Sequence, residues 1–185
     1  MILIVDTVRR AGEHFQLNQA IVESLIECDN EVVFLTSSNY WESFPVSMRE
    51  KMVFESTPFL SSGLVGTMRS LLLLVRIALF RRKYSCIIFL SSIAYNSFLL
   101  SLLSYFRLMR PKVLVFLHEV SYIDSKKVSA KFAAFFLKFA LSVGLKKKSK
   151  FIIIGEYIKY ELERRVDFNR SSTIFVEHPT SNSSY

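Results

Sequence analysis

Short apolar runs alternate along this chain with longer stretches in which apolar residues recur at helical spacing. The runs are rich in β-branched and aromatic residues and give way to polar ones, which is typical of strands buried in a parallel sheet. The longer stretches predict amphipathic helices. The predicted strands are residues 1–6, 31–36, 51–57, 86–90, 113–117, 150–154 and 173–177, and the predicted helices are residues 16–28, 66–80, 96–109, 128–145 and 156–165.

Strands and helices in this order predict an α/β fold, with a mostly parallel sheet of about seven strands and helices on both faces. A chain of 185 residues suits one domain with a substantial core. We assign residues 1–179 to this domain and residues 180–185 to a polar tail. Residues 37–49 are predicted to form an ordered loop or a short helical turn, and residues 51–57 an edge-like strand.

Residues 85–106 have two possible interpretations. The segment contains no charged residue and is about as long as a bilayer core requires. Six serines and Asn96 interrupt it, however, and it divides at Ser91 and Ser92 into two apolar runs. We interpret it as a buried strand, a loop and a helix, and a small integral membrane protein anchored by residues 85–106 is the alternative.

Charge is unevenly distributed along the chain. Residues 1–57 carry four Lys or Arg against nine Asp or Glu, whereas residues 58–185 carry twenty against seven. The basic segment fits acidic substrates, nucleic acid or an anionic membrane surface. Nucleic acid is disfavoured, because no zinc finger, RNP-like aromatic motif or helix-turn-helix signature accompanies the charge. Cys28 and Cys86 stand in apolar contexts without CxxC spacing, which predicts two buried thiols.

Polar residues follow several of the predicted strands directly. In a parallel sheet such positions converge on one edge, where loops build functional sites. The group comprises His14, Ser91, Ser92, Asn96, His118, Glu119, Gly155, Glu156, Glu177 and His178. Helix caps and turns also require polar residues, and this structural role is the favoured one for Ser91, Ser92 and Glu156.

His118 and Glu119 are the strongest catalytic candidates, at the end of the apolar run 113–117. A histidine at the mouth of a cleft can take a proton from a hydroxyl near neutral pH, and a neighbouring carboxylate can orient it or bind a sugar hydroxyl. A hydrogen-bonded structural histidine is the alternative. The chain stays partly polar as far as Asp124, which we include in the candidate cleft.

The loop after the first strand supplies weaker candidates. Gly12 would allow backbone to approach a ligand closely beside Glu13 and His14. His178 precedes Pro179, which favours an extended exit from the last strand, so we interpret His178 as a connector first and a ligand contact second.

Five segments carry a family resemblance through their order and spacing. They are residues 1–5, the Ala-Gly-Glu-His loop 11–14, the strand and His-Glu pair 113–119, the strand and helix start 151–162, and the strand and His-Pro turn 174–179. This order resembles the N-terminal half of GT-B glycosyltransferases of the group 1, or family 4, type. The resemblance covers nearly the whole chain, although Gly155 stands where the family usually has Ser.

The resemblance implies a Rossmann-like GT-B N-terminal domain that receives the acceptor, while a second domain with paired glutamates holds the nucleotide-sugar donor. No E-x7-E segment follows the last predicted strand, 173–177, so the resemblance implies a truncated product or a separate donor-binding subunit. Glu156 and His178 then face the donor side, and Gly12, Glu13, His14 and Asp124 face the acceptor cleft. No cofactor and no metal are implied, and the three histidines are not spaced as ligands on one element.

The predicted helix 128–145 is rich in aromatic residues and lysines, which fits an enzyme whose lipid-linked acceptor lies at a membrane surface. Such a helix can lie in the headgroup plane with its lysines toward anionic lipid, although a helix covering a sheet with snorkelling lysines would look the same. The candidate membrane-facing residues are Lys131, Lys138, Lys146, Lys147 and Lys148.

The resemblance therefore implies that this chain is the acceptor-binding half of a glycosyltransferase. It would transfer a sugar from a nucleotide sugar to a polysaccharide or lipid-linked acceptor, at the cytoplasmic face of the inner membrane, in the synthesis of a surface polysaccharide or glycolipid. A non-catalytic, membrane-associated α/β binding module is the alternative from another class.

Overall fold

The computed structural model describes residues 1–6, 15–57, 64–80, 83–90, 94–106, 108, 111–117, 128–146, 149–166 and 168–176. All seven predicted strands are present in it, and the sheet that they form is parallel throughout. The strands are β1 (Ile2–Val5), β2 (Val32–Thr36), β3 (Met52–Ser56), β4 (Cys86–Phe89), β5 (Lys112–Leu117), β6 (Lys150–Ile154) and β7 (Thr173–Val176).

The predicted helices are also confirmed, with small shifts at their ends. The segment between β2 and β3 forms two short helices, which agrees with the predicted helical turn. The helices are α1 (Phe15–Glu27), α2 (Ser38–Glu42), α3 (Val46–Arg49), α4 (Leu64–Phe80), α5 (Ala94–Tyr105), α6 (Val128–Val143) and α7 (Glu156–Arg165), followed by a 3₁₀ turn at Arg170–Ser172.

The strand order is β3-β2-β1-β4-β5-β6-β7, which makes β3 an edge strand as predicted. The chain builds the sheet outward from β1 in one direction and then crosses to β4 and continues in the other. Because connections between parallel strands are right-handed, the reversal of direction after β3 places the helices before β3 on one face of the sheet and those after it on the other. This arrangement is the doubly wound, Rossmann-like fold.

Two separate cores confirm the division into faces. Residues of α1, α2 and α3, among them Val22, Tyr40 and Met48, pack with one face of the sheet. Residues of α4 to α7, among them Leu74 and Leu137, pack with the other. Alternate residues of each strand contribute to alternate cores, because side chains point to opposite faces with a period of two.

Within residues 85–106 the predicted buried strand and helix are β4 and α5, and the predicted loop at Ser91 and Ser92 lies outside the described residues. The serines of α5 face protein: the Ser101 hydroxyl donates to the carbonyl oxygen of Ala140 at 3.0 Å, and Ser104 Oγ accepts from the backbone N–H of Lys146 at 2.6 Å. Burial of these hydroxyls is offset by bonds to α6 and the segment after it. Within the described part of the chain, no helix is both long enough and apolar enough to cross a bilayer.

The end of α6 depends on Gly144, which has a positive φ of 72°. Its backbone N–H donates to the carbonyl oxygen of Ala140 at 2.8 Å, so it ends the helix in the left-handed conformation that glycine adopts without steric cost. A Cβ at this position would overlap Ser172 Oγ and lie 2.9 Å from the Cβ of Asn169.

We predict that Gly144→Ala lowers the free energy of unfolding by about 2–4 kcal/mol, because a left-handed alanine is strained and the overlap must be relieved. Denaturant-induced unfolding measures the loss. Adding Ser172→Ala removes one of the overlapping atoms and should recover part of the stability. A Gly144→Ala protein as stable as the wild type would contradict the packing seen here.

Candidate functional site

The crevice at the carboxyl ends of β1 and β4 is the expected position for a site in this fold. These two strands are neighbours, and the helices that follow them, α1 and α5, pack on opposite faces of the sheet. Ligands of open α/β sheets bind at such a switch point in the strand order. Asp6 follows β1 and Leu90 follows β4.

Most of the site residues predicted from the sequence lie outside the described residues. This holds for Gly12, Glu13, His14, His118, Glu119, Asp124 and His178, and for Lys147 and Lys148. The structure describes the elements next to them in the chain: α1 begins at Phe15, β5 ends at Leu117 and β7 ends at Val176. Because the strands are parallel, the carboxyl ends of β1, β5 and β7 lie along one edge of the sheet.

Two predicted rim residues follow β6. Glu156 is the first residue of α7, and Gly155 before it has φ 102° and ψ 134°. A residue with a side chain is strained in this region of backbone conformations. This backbone conformation explains why position 155 is glycine, although the GT-B family that the sequence resembles usually has serine there.

A buried polar cluster lies beside the crevice and was not predicted from the sequence. It consists of Asp6, Asn18 and Tyr40, each no more than 1% exposed. The Asn18 amide nitrogen donates to Asp6 Oδ2 at 3.0 Å and to the Tyr40 hydroxyl oxygen at 3.1 Å. The Tyr40 hydroxyl also bonds to Asp6. The cluster therefore ties the end of β1 to the start of α1 and to α2.

Electrostatics keep Tyr40 neutral in this cluster. Burial raises the pKa of the Tyr40 hydroxyl well above its usual range, and the nearby Asp6 carboxylate raises this pKa further. Both effects disfavour a second negative charge in a desolvated position. Tyr40 is consequently a fixed hydrogen-bond donor to Asp6 at all physiological pH values.

Two buried side-chain oxygen atoms on α1 and β2 have no hydrogen-bond partner among the described atoms. Asn18 Oδ1 and the hydroxyl of Thr36, the last residue of β2, are both buried. Buried polar atoms usually have a partner, so this end of the sheet has capacity for a further hydrogen bond. The described residues include no group of three His, Cys, Asp or Glu that could bind a metal ion.

The apolar spacing of α1, which comprises Leu17, Ala20, Ile21, Leu25 and Cys28, indicated only part of the side that faces the sheet. Leu17, Ile21 and Leu25 pack partly buried against the core, whereas the fully buried residues of this helix are Asn18 and Val22. Cys28 is exposed and Cys86 is only partly buried, so the prediction of two buried thiols was wrong. Asp6 directly after the first strand was the available signal for the polar cluster, because an ionisable residue there needs a nearby partner.

The candidate membrane-facing lysines are partly described. Lys131 and Lys138 are exposed on α6. Lys146 is exposed too, and its ammonium group lies 4.5 Å from the centre of the Tyr105 ring and 3.4 Å from the Tyr105 carbonyl oxygen.

Comparison with solved structures agrees with the fold. The chain is similar to the crystal structure of WaaG, a glycosyltransferase involved in lipopolysaccharide biosynthesis, with a TM-score of 0.61 and 10% sequence identity. The similarity covers 95% of this chain and 44% of WaaG, so the chain spans less than half the length of that protein. No protein-family model matches the chain, and no characterised protein matches its sequence significantly.

The chain thus has a GT-B glycosyltransferase-like fold, which confirms the fold expected from the resemblance. At this sequence identity the likeness establishes the architecture, and the chemistry of the site has to be argued from its residues.

We predict that Tyr40→Phe lowers the free energy of unfolding by about 1–2 kcal/mol at neutral pH, because Asp6 loses a buried donor. The raised pKa of folded Tyr40 gives the effect a pH dependence. Above pH of about 10 the unfolded protein ionises this tyrosine and the folded protein does not, so its contribution to stability falls as pH rises.

Unfolding measured in denaturant from pH of about 8 to about 11 checks this, with the difference between wild type and Tyr40→Phe as the readout. This difference should shrink by up to about 1.4 kcal/mol per pH unit at the alkaline end. Asp6→Asn removes one cause of the raised pKa and should weaken the dependence. A difference that stays constant over the whole range would contradict the assigned environment of Tyr40.

Proposed function

We propose that this chain is the acceptor-binding half of a glycosyltransferase that transfers a sugar from a nucleotide sugar to a polysaccharide or lipid-linked acceptor. The observation that carries the proposal is the similarity of 95% of the chain to a glycosyltransferase of lipopolysaccharide biosynthesis. The position of the candidate residues supports it, because they follow strands whose carboxyl ends lie along one edge of the sheet.

In the proposed reaction His118 is the general base. It takes the proton of an acceptor hydroxyl as the hydroxyl oxygen bonds to the anomeric carbon of the sugar, while the bond from that carbon to the nucleotide phosphate breaks. Glu119 orients the histidine or binds a sugar hydroxyl. A positioned base of this kind contributes about 10²–10⁴-fold in rate.

The remaining candidate residues divide between the two substrates. Gly12, Glu13, His14 and Asp124 would contact the acceptor. Glu156 and His178 would face a donor-binding domain or a separate donor-binding subunit, which supplies most of the contacts to the nucleotide sugar.

The buried cluster of Asp6, Asn18 and Tyr40 supports a rigid floor for this cleft. It joins Asp6, at the end of β1, to α1 and α2. These buried hydrogen bonds hold the three elements in position relative to one another, and transfer depends on reacting groups kept in position.

A lipid-linked acceptor would place the enzyme at a membrane. We propose a location peripheral to the inner face of the cytoplasmic membrane, with an anionic lipid surface as partner. Exposure of Lys131, Lys138 and Lys146 supports this location, because basic residues near an anionic leaflet are attracted to it.

The central test is His118→Ala in the enzyme reconstituted with its donor-binding part. We expect transfer to fall by about 10²–10⁴-fold, with an unchanged unfolding transition. The measurement is release of the nucleoside diphosphate, together with labelled sugar incorporated into acceptor.

Glu119→Gln keeps a side chain that can hydrogen-bond to His118 but removes the negative charge. This variant is expected to lower the maximal rate less than His118→Ala does. If His118→Ala retains activity within a few-fold of wild type, the histidine is structural and the assignment of the base is wrong. A folded wild-type chain that never supports transfer with any donor-binding part would favour the non-catalytic binding module.

A further inference from the structure

Helices α4, α5 and α6 form one continuous layer, and its sequence is unusual. The three helices pack side by side on the same face of the sheet, with α5 in contact with both of its neighbours. None of their residues is Asp or Glu, and α5 contains no charged residue of either sign. The surfaces of soluble proteins ordinarily mix charges of both signs. A surface that carries cations without any Asp or Glu is suited to an anionic partner.

The outer side of the layer combines cations with large apolar side chains. On α4, Arg69 and Arg76 are exposed next to Met68 and Leu72, which are 53% and 66% exposed. The spacing of three, four and seven residues places them on one side of the helix.

The same combination recurs on α6. Phe132 and Phe135 are 59% and 62% exposed, and Lys131 and Lys138 are exposed beside them. Phe136 and Phe139 continue inward from this ridge and pack against Phe98 of α5, with ring centroids 4.7 and 5.2 Å apart. Aromatic side chains therefore fill the groove between α5 and α6.

The opposite face of the domain has the contrary character. There α1 and α2 expose Glu23, Glu27 and Glu42, and the whole segment 1–57 is acidic on balance. The fold thereby converts a difference between two parts of the sequence into a difference between two faces. A bilayer with anionic headgroups would attract one face and repel the other.

We propose that the outer surface of α4, α5 and α6 is a membrane-docking face that lies flat on an anionic lipid bilayer. Phe132, Phe135, Met68 and Leu72 enter the headgroup region, and Arg69, Arg76, Lys131 and Lys138 pair with lipid phosphates. The face extends the contact beyond the α6 lysines to a second basic helix and to the uncharged helix between them.

Docking through this face would fix the orientation of the candidate site relative to the bilayer. The use of that orientation rests on the proposed function. Helix α6 follows β5 and runs back along the sheet. Phe132 and Phe135 therefore lie toward the carboxyl ends of the strands, where the candidate site is, and Lys146 lies toward their amino ends. The sheet would lie roughly parallel to the bilayer, and the cleft would open along its surface at the level where a lipid-linked acceptor presents its sugar.

The test measures binding of the 185-residue chain to sedimentable vesicles, without donor or acceptor. We expect binding to vesicles of phosphatidylcholine with phosphatidylglycerol and little binding to phosphatidylcholine alone. Added salt should weaken the binding, because it screens exposed charges.

Three double variants locate the contact. Arg69→Glu with Lys138→Glu changes one cation on each outer helix, and Phe132→Ser with Phe135→Ser removes the aromatic ridge. Each is expected to weaken binding roughly tenfold or more. Lys51→Glu with Lys112→Glu makes the same change in net charge at exposed positions before β3 and at the start of β5, and it should bind within about twofold of wild type.

The outcomes separate the alternatives. Equal losses for the face and control charge variants would show that net charge alone governs binding and would overturn the proposal, as would equal binding to both kinds of vesicle. Self-association that the phenylalanine variant abolishes, without vesicle binding, would assign the face to a second copy of the chain. A chain that binds as predicted but supports no transfer would overturn the proposed reaction and leave the docking face standing.

Discussion

The constant hand of the connections between parallel strands governs the arrangement of this domain. Right-handed crossovers run first from β1 to β3 and then in the opposite direction, from β3 across to β4 and on to β7. For this reason helices α1–α3 lie on one face of the sheet and α4–α7 on the other. The same reversal makes the carboxyl ends of β1 and β4 the switch point at which this kind of sheet binds ligands. The position of the candidate site and the separation of the two faces therefore follow from one topological constraint.

At the carboxyl end of β1 the core contains the buried polar side chains of Asp6, Asn18 and Tyr40. Burying Asp6 is costly unless hydrogen bonds satisfy it, and Asn18 and Tyr40 supply them from two separate helices. Such a cluster requires β1, α1 and α2 to be in place together. It gives the end of β1 a single arrangement relative to α1 and α2, and the raised pKa of Tyr40 keeps this hydrogen bonding constant through the physiological pH range.

Helices α4, α5 and α6 combine a strongly apolar sequence with packing in a globular domain. Residues 85–106 are apolar enough to resemble a membrane span, yet the serines of α5 bond to α6 and its apolar residues enter the core. Apolar residues on the outer side remain exposed between cations. A layer of this composition is held by the sheet on its inner side, and its outer side has the chemistry of a lipid interface.

Local pattern was sufficient to predict the seven strands, the main helices and the edge position of β3, because hydrophobic periodicity is a property of neighbouring residues. It could not predict that Asn18 and Val22 face the sheet, that Cys28 is exposed, or that Asp6 meets Tyr40. The roles of His118 and Glu119 stay predictions from their place after β5. By itself the sequence determined the elements and their order; the tertiary structure decided which side of each helix is buried and which distant polar atoms meet, since both depend on strand order and crossover hand.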